Sequence, residues 1–212
     1  MIGFESNWVY STIRDVDKTL VLSAEAIAIS TKYSFEVTLA WATSLHGWAL
    51  AEKGRDEGLD LLVNGLSAAQ AAGVRLNNAF TLAMLAEVYL RKKRIDEGLA
   101  ALSAAQKLVR VEGERCWLAE LLRLEGELLL EQPEPSVSEA EQCFAEAVKI
   151  AREQHATMFE LRAAMSMARL LKKLNRSDAA RSVLQAVCSK ITERASNHEL
   201  IEAEAILSEL DG

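Results

Sequence analysis

Histidine and cysteine side chains can hold metal ions or act as nucleophiles, and this chain has three of each. They are His46, His155, His198, Cys116, Cys143 and Cys188. No His-Glu-x-x-His and no Cys-x-x-Cys spacing connects them, so a zinc site has no local support. We predict a packed, hydrogen-bonded histidine at position 46 and small buried hydrophobes at the three cysteines. The odd, sparse cysteine set favours a reducing, cytoplasmic setting.

Paired carboxylates offer a second route to chemistry, because one can act as an acid and the other as a base. Glu120 and Glu127 share one face of a predicted helix. On acidic helices such residues usually pair with Lys or Arg instead. The phosphate-binding, dinucleotide-binding and nucleophile-elbow motifs are also missing from the sequence. We therefore predict a protein that is not an enzyme, with no catalytic residue, metal or cofactor.

A basic stripe is formed by Arg162, Arg169 and Lys173, which recur on one side of a predicted helix. Arginine forks suit carboxylates and phosphates, so the stripe could anchor an acidic peptide, a carboxylate or a phosphate. The alternative is an internal salt-bridge network with carboxylates such as Glu120 and Glu127. Both interpretations remain open on the sequence alone.

Composition favours an all-α fold. Half of the 212 residues are hydrophobic, while only two are proline and ten are glycine, which is few for a β-rich chain with many turns. The net charge of −7 argues against direct nucleic-acid binding, since that function leaves a basic footprint. The longest uncharged stretch is too short and too polar for a membrane span, so we predict no membrane segment.

The sequence repeats with a period of about 40 residues. Four small residues mark the repeat, namely Gly58, Gly98, Ala140 and Ala180. A large apolar residue follows each of them four positions later: Leu62, Leu102, Phe144 and Leu184. A small or β-branched residue follows seven positions later: Gly65, Ala105, Ala147 and Val187. This spacing places the three positions on one helical stripe, where the small residue permits close approach of a neighbouring helix.

An amphipathic run precedes each marked helix. The predicted first helices are residues 35–53, 77–91, 116–131 and 158–174. Short breakers join the members of each pair, and short connections make sequential helices antiparallel. We therefore predict an α-solenoid of antiparallel helix hairpins. Residues 1–34 form an incomplete N-terminal repeat or cap, 35–195 four hairpins, and 196–212 a C-terminal cap helix, all in one array.

The unit resembles the tetratricopeptide repeat. Leu45-His46, Leu85-Ala86 and Met167-Ala168 stand where that family usually has Leu-Gly, and Tyr89 stands at its usual aromatic position. The period is longer than the usual 34 or so residues, most first helices lack the usual Trp, and no Pro closes the second helices. Residues 47–54, 82–89, 114–130, 140–144 and 161–170 together resemble the C-terminal repeat region of bacterial multidomain regulators of the signalling-ATPase and adenylate/guanylate-cyclase type.

This resemblance implies a protein-interaction or regulatory module and carries over no catalytic residue. Its partner would be a protein, a peptide or upstream domains of the same polypeptide, and homo-oligomerisation is possible. The alternative is a small-effector sensor, as in repeat-bearing transcription activators. The family's groove positions map onto Ala40, Thr43, Gly47, Leu50 and Ala51 in the first repeat. In the later repeats the predicted partner-binding residues are Phe80, Glu87, Arg91, Glu120, Arg123, Arg162, Met165, Arg169 and Lys173.

Overall fold

The computed structural model describes residues 9–191 and 198–211, and within these ranges it is all-helical, with no strand. Its chain divides into two compact units, Met1–Glu114 and Arg115–Gly212. The first eight residues of the predicted N-terminal repeat or cap and the first two of the predicted C-terminal cap helix lie outside the described residues. Residues 9–12 are helical. Within the described ranges, no helix combines the length and the apolar character that crossing a bilayer requires.

The first unit consists of helices that each pack on the next one along the chain. They are α1 (Val16–Tyr33), α2 (Glu36–Glu52), α3 (Glu57–Ala71), α4 (Asn78–Arg91) and α5 (Ile95–Glu112). The side chain of Asp15 caps α1 by accepting a hydrogen bond from the Lys18 backbone N–H at 3.1 Å. Helix α2 also contacts α4.

Three glycines bring α2 and α3 into unusually close contact. A Cβ atom on Gly58 would lie 2.4 Å from the Ala51 nitrogen, and one on Gly65 would lie 2.6 Å from the Ser44 nitrogen. Positions later in α3 thus meet positions earlier in α2, so the two helices run antiparallel. Gly47 belongs to the same contact, with its Cβ position 2.5 Å from the Leu62 nitrogen. The prediction that Gly47 lines a groove is therefore wrong, because it faces α3.

The second unit begins with a 3-10 turn, Arg115–Trp117, followed by five further described helices. These are α6 (Leu118–Leu130), α7 (Val137–Glu153), α8 (Thr157–Lys173), α9 (Ser177–Cys188) and α10 (His198–Asp211). Sequential helices pack together, and α8 also contacts both α6 and α10. Phe144, Leu161, Leu184 and Leu200 are fully or almost fully buried in the core of this unit.

The residues that mark the repeat are all buried, as their spacing predicts. Gly58 and Gly98 are buried, and Ala140 and Ala180 are completely inaccessible to solvent. The large residues that follow them are buried as well: Leu62, Leu102, Phe144 and Leu184. The stripe of small and large residues that marks the repeat in the sequence is therefore the packed face of α3, α5, α7 and α9.

Left-handed backbone conformations recur at the turns. One series of residues with positive φ lies in the turns that join successive pairs and is spaced by about 40 positions: Ser34, Gly73, Gly113 and His155. A second series falls in the intervening turns, at Arg14, Gly54, Lys93 and Asn175. Only glycine takes up this conformation without steric cost, so the non-glycine members are strained.

The difference in backbone strain between glycine and other residues at positive φ leads to a prediction for the turns. Gly54→Ala should destabilise the fold by about 1 kcal/mol from backbone strain alone, because no described atom lies within 4 Å of the added Cβ. His155→Gly should stabilise it by about 0.5 kcal/mol, since relief of strain at φ 55° exceeds the added freedom of the unfolded chain. Urea denaturation followed by circular dichroism measures both, and equal effects of the same sign would contradict the strain argument.

Within each unit, ion pairs link the start of the second helix of one pair to the turn inside the next pair. Lys53 Nζ lies 2.6 Å from Asp17 Oδ1, and Lys92 Nζ lies 2.5 Å from Asp56 Oδ1. In the second unit, Arg176 Nη1 lies 2.7 Å from Glu141 Oε1. The lysine or arginine follows the first helix of a pair, and its carboxylate partner lies some 35 residues earlier in each case. These pairs form a ladder along the turns.

Candidate partner-binding surface

The predicted partner-binding residues are divided between the two units. Phe80, Glu87 and Arg91 lie on α4 in the first, whereas the remaining six lie on α6 and α8 in the second. Phe80 is 5% exposed and Met165 is 4% exposed, so both side chains belong to the interior of their units. Phe80 and Met165 therefore leave almost no surface for a partner to touch. What is accessible among the predicted partner-binding residues belongs to charged side chains.

In the first unit the charged residues form a compact cluster of two arginines and two carboxylates. Arg91 Nη2 lies 2.5 Å from Glu52 Oε1, which connects α4 to the end of α2. Arg14 bridges to Glu87 from the segment before α1. Burial raises the pKa of Glu52, and the negative charge of Glu87 raises it further, while Arg91 and Arg14 oppose that rise. The cluster is neutral when all four groups are charged, and it ties three segments together.

A buried polar network connects α6 and α8 in the second unit. The guanidinium of Arg123 donates to both oxygens of Glu120, with Nε–Oε2 at 3.1 Å and Nη2–Oε1 at 2.7 Å. Ser166 on α8 donates to Glu127 at 2.6 Å. Glu120 is 4% exposed and Arg123 8% exposed. The hydrogen bond from Ser166 joins α8 to α6, and Arg123 Nη1 lies 3.8 Å from Glu127 Oε1 in the same network. Glu120 offers little surface for acid–base chemistry on a substrate.

The basic stripe on α8 meets carboxylates from the chain's own helix α10. Arg162 forms a two-pronged contact with Glu199, in which Nη2 donates to Oε2 at 3.1 Å and Nε donates to Oε1. Arg169 Nη2 lies 2.6 Å from Glu202 Oε1. One turn further, Lys172 Nζ lies 2.8 Å from Glu209 Oε2 and lowers the pKa of that carboxyl.

Exposure increases along this set of pairs. The side chains of Arg162 and Glu199 are 6% and 5% exposed, whereas those of Arg169 and Glu202 are 41% and 48% exposed. Lys173 is exposed and forms no ion pair with any described residue. Arg169 and Lys173 are therefore the members of the predicted stripe that an incoming partner can reach, and Arg162 is committed to internal packing.

A buried carboxylate that the sequence analysis did not single out lies beside this face. Glu160 has a side chain only 4% exposed and accepts from Arg152 Nε at 3.0 Å and Lys190 Nζ at 2.8 Å. These cations come from α7 and from the residues after α9, so one carboxylate joins three elements of the unit. A carboxylate directly between the apolar residues Phe159 and Leu161 is the sequence signal that could have identified it.

His46 is the histidine with a defined structural partner. Its Nδ1 atom lies 2.9 Å from the Oγ atom of Ser23, and Ser23 Oγ also donates to the Leu20 carbonyl at 3.1 Å. Ser23 is completely inaccessible to solvent, so the pair is not placed to attack a substrate. The prediction of a packed, hydrogen-bonded histidine is confirmed. Burial lowers its pKa below 6.5, and the nearby Leu20 carbonyl partly opposes that shift.

The lowered pKa of His46 makes the stability of the first unit depend on pH. The unfolded chain takes up a proton at a higher pH than the folded one, so the full stability is present above about pH 6.5. It is lost as the pH falls from 6.5 through the lower pKa of the folded state. His46→Gln should flatten this dependence, whereas the exposed His155→Gln should leave it unchanged. Denaturation midpoints between about pH 8 and about pH 5 test this, and parallel curves for all three proteins would count against it.

The cysteines differ in burial. Cys188 is buried, Cys143 is half-buried and Cys116 is exposed. The prediction of a small buried hydrophobe is therefore confirmed for Cys188 and wrong for Cys116, because the helix predicted to carry Cys116 begins two residues later, at Leu118. Burial raises the pKa of Cys143 to about 11, with smaller contributions from Glu125 and Glu139. In the part of the chain described here, no three His, Cys, Asp or Glu residues come together to hold a metal ion.

Comparison with known proteins gives no identification. No known family matches the chain, and no curated protein has a significantly similar sequence.

Proposed function

We propose that this chain is a non-catalytic scaffold built from tetratricopeptide-like helix hairpins, and that it binds protein partners or other domains of a bacterial regulatory polypeptide. The observation that carries the proposal is the buried repeat of Gly58, Gly98, Ala140 and Ala180, each on the second helix of a pair. Helix hairpins that repeat in this way stack into solenoids, and solenoids serve mainly as extended binding surfaces.

Two further regularities support a solenoid with a period of about 40 residues. The left-handed turn residues of the first series recur at that interval, and those of the second series do so at Arg14, Gly54 and Lys93, with Asn175 two intervals further on. The ion-pair ladder joins equivalent turns of successive pairs within each unit, at Lys53–Asp17 and Lys92–Asp56 in the first. Repeated backbone geometry and repeated contacts between neighbours are the properties expected of a structure in which each repeat touches only the next.

The accessible end of the basic stripe is the proposed binding face in the second unit. Arg169 and Lys172 already hold the acidic residues Glu202 and Glu209 of α10. A partner that presents a row of carboxylates would compete with Glu202 for Arg169 and would meet the exposed ammonium of Lys173 directly. We therefore propose an acidic peptide or protein segment as the ligand of this face.

Quantitative affinity capture with the full chain tests this function. Arg169→Glu combined with Lys173→Glu should reduce recovery of a specific partner at least tenfold, because two attractive contacts become repulsive. Lys149→Glu is the matched control, since Lys149 is an exposed lysine on α7. Circular dichroism must show that all variants are folded. Equal capture by wild type, control and double variant would reject this face.

A small-effector sensor remains the weaker candidate. Its motivation is the apolar character of the predicted groove positions Leu50 and Phe80, but Phe80 is 5% exposed and part of the core. A thermal-shift screen against metabolites would reveal a ligand of the folded state, since such a ligand raises the melting temperature.

A further inference from the structure

The fully buried side chains of helix α1 are small and polar, whereas some of its apolar residues are exposed. The side chains it buries are the small polar residues Thr19, Ser23 and Ser30. Its branched apolar residues Val21 and Ile29 are 58% and 54% exposed. The small residues permit close packing on α2, whereas Leu20, Leu22 and Ile27 are partly buried and Val21 and Ile29 are left on the exposed side of α1.

This outer face of α1 is continuous and regularly spaced. Five of its residues follow one another at intervals of three or four: Lys18, Val21, Glu25, Ala28 and Lys32. Ile29 lies beside them, and all six residues are exposed. Spacing of three and four is the pattern by which two helices pack along a common seam. At the end of α1, Tyr33 and Phe35 stack with ring centroids 5.9 Å apart and are 57% and 53% exposed. The apolar part of the outer face is therefore Val21, Ala28, Ile29 and the two rings, and charged residues lie between them.

The charges on the outer face indicate which molecule would cover it. Glu25 and Lys32 are seven residues apart, so they lie nearly in line along the helix. Neither forms an ion pair with another described residue, and the Lys32 ammonium lies over the neighbouring Tyr33 ring. Lys18 is already paired with Asp15. The outer face thus carries one acidic and one basic group whose charges no described residue of the same chain neutralises.

We propose that the outer face of α1 binds the same face of a second copy of this chain, with the two helices antiparallel. A two-fold axis between Ala28 and Ile29 sets Glu25 of each copy against Lys32 of the other, which gives two ion pairs from one pattern. The same axis brings Val21 of one copy close to the aromatic pair of the other. A parallel arrangement would instead oppose Glu25 to Glu25 and Lys32 to Lys32.

The size of the face determines the strength of the dimer. A helix of 18 residues is about 27 Å long, so the strip is small beside the roughly 800 Å² that each partner buries in a standard interface. Interfaces of this size are typical of weak association, so we expect a dissociation constant in the micromolar range or above. Self-association is independent of the acidic partner proposed for α8, and either proposal can fail alone.

Sedimentation velocity of the full chain, from about 1 µM to about 1 mM, tests the dimer. The wild type is expected to shift from monomer to dimer as its concentration rises. Lys32→Glu should weaken dimerisation at least tenfold, because Glu25 of each copy then faces a carboxylate. The double variant Glu25→Lys with Lys32→Glu should restore it, since both ion pairs re-form with reversed sign. Ile29→Glu should abolish it.

Val111→Glu is the matched control, since Val111 is an exposed apolar residue of the same unit outside α1. It should leave dimerisation unchanged. All substituted positions are solvent-exposed, and helix content by circular dichroism checks that each variant folds. A wild type that stays monomeric over the whole range overturns the proposal. So does a double variant that dimerises no better than Lys32→Glu.

Discussion

Gly58→Ala is expected to destabilise the first unit by about 2–3 kcal/mol, although the same substitution in an exposed helix would stabilise it by about 1 kcal/mol. The sign reverses because the new methyl group has no space. Its carbon would lie 2.4 Å from the Ala51 nitrogen and 2.5 Å from the Gly47 carbonyl oxygen. Both are backbone atoms of α2, so relief requires the two helices to separate along their whole contact.

Asn64→Ala on the exposed side of α3 is the matched control for this prediction. It adds an alanine to the same helix without touching α2, so the free energy of unfolding should stay unchanged or rise slightly. Urea denaturation monitored by circular dichroism gives both values. A Gly58→Ala variant as stable as Asn64→Ala would mean that α2 and α3 are not in close contact.

The positions of the helices could be predicted closely from the sequence. The four predicted first helices begin and end within two residues of α2, α4, α6 and α8. Apolar periodicity and short polar breakers are local signals, and a helix depends mainly on local hydrogen bonds. The largest difference lies at Cys116, where a 3-10 turn replaces the predicted start of α6.

The faces of the helices were harder to predict than their limits. Gly47 falls at a groove position in the repeat pattern but lies against α3, because the glycines at 58 and 65 draw the two helices together. Phe80 and Met165 likewise belong to the core. A helix whose residues are apolar on most sides does not reveal which side meets its neighbour, since that choice depends on crossing geometry and on all other helices.

Long-range ion pairs could not be predicted from spacing. Glu160 receives one cation from eight residues before it and another from 30 residues after it. The pairing of Arg162 with Glu199 spans 37 residues. Internal pairing of the basic stripe on α8 could be predicted from its charges, but the carboxylates come from α10, for which the sequence predicts only a cap helix. Tertiary packing alone decides such partners.

The pairing of Arg162 with Glu199 leads to the second large prediction. Arg162→Ala or Glu199→Ala should each destabilise the second unit by about 3–5 kcal/mol, because either change leaves a charge buried without its partner. Arg169→Ala should cost less than about 1 kcal/mol, since that arginine and Glu202 are both more than one-third exposed. Urea denaturation of the three variants measures the contrast.

A double variant separates the cost of an unpaired charge from the value of the pair. Arg162→Met with Glu199→Leu removes both charges and keeps apolar volume, so it should recover most of the stability that either single alanine loses. If it does, the pair serves mainly to position α10 on α8, because apolar packing supplies equal stability without that directional contact. Equal losses in the double and single variants would instead show that the ion pair itself stabilises the docked helix.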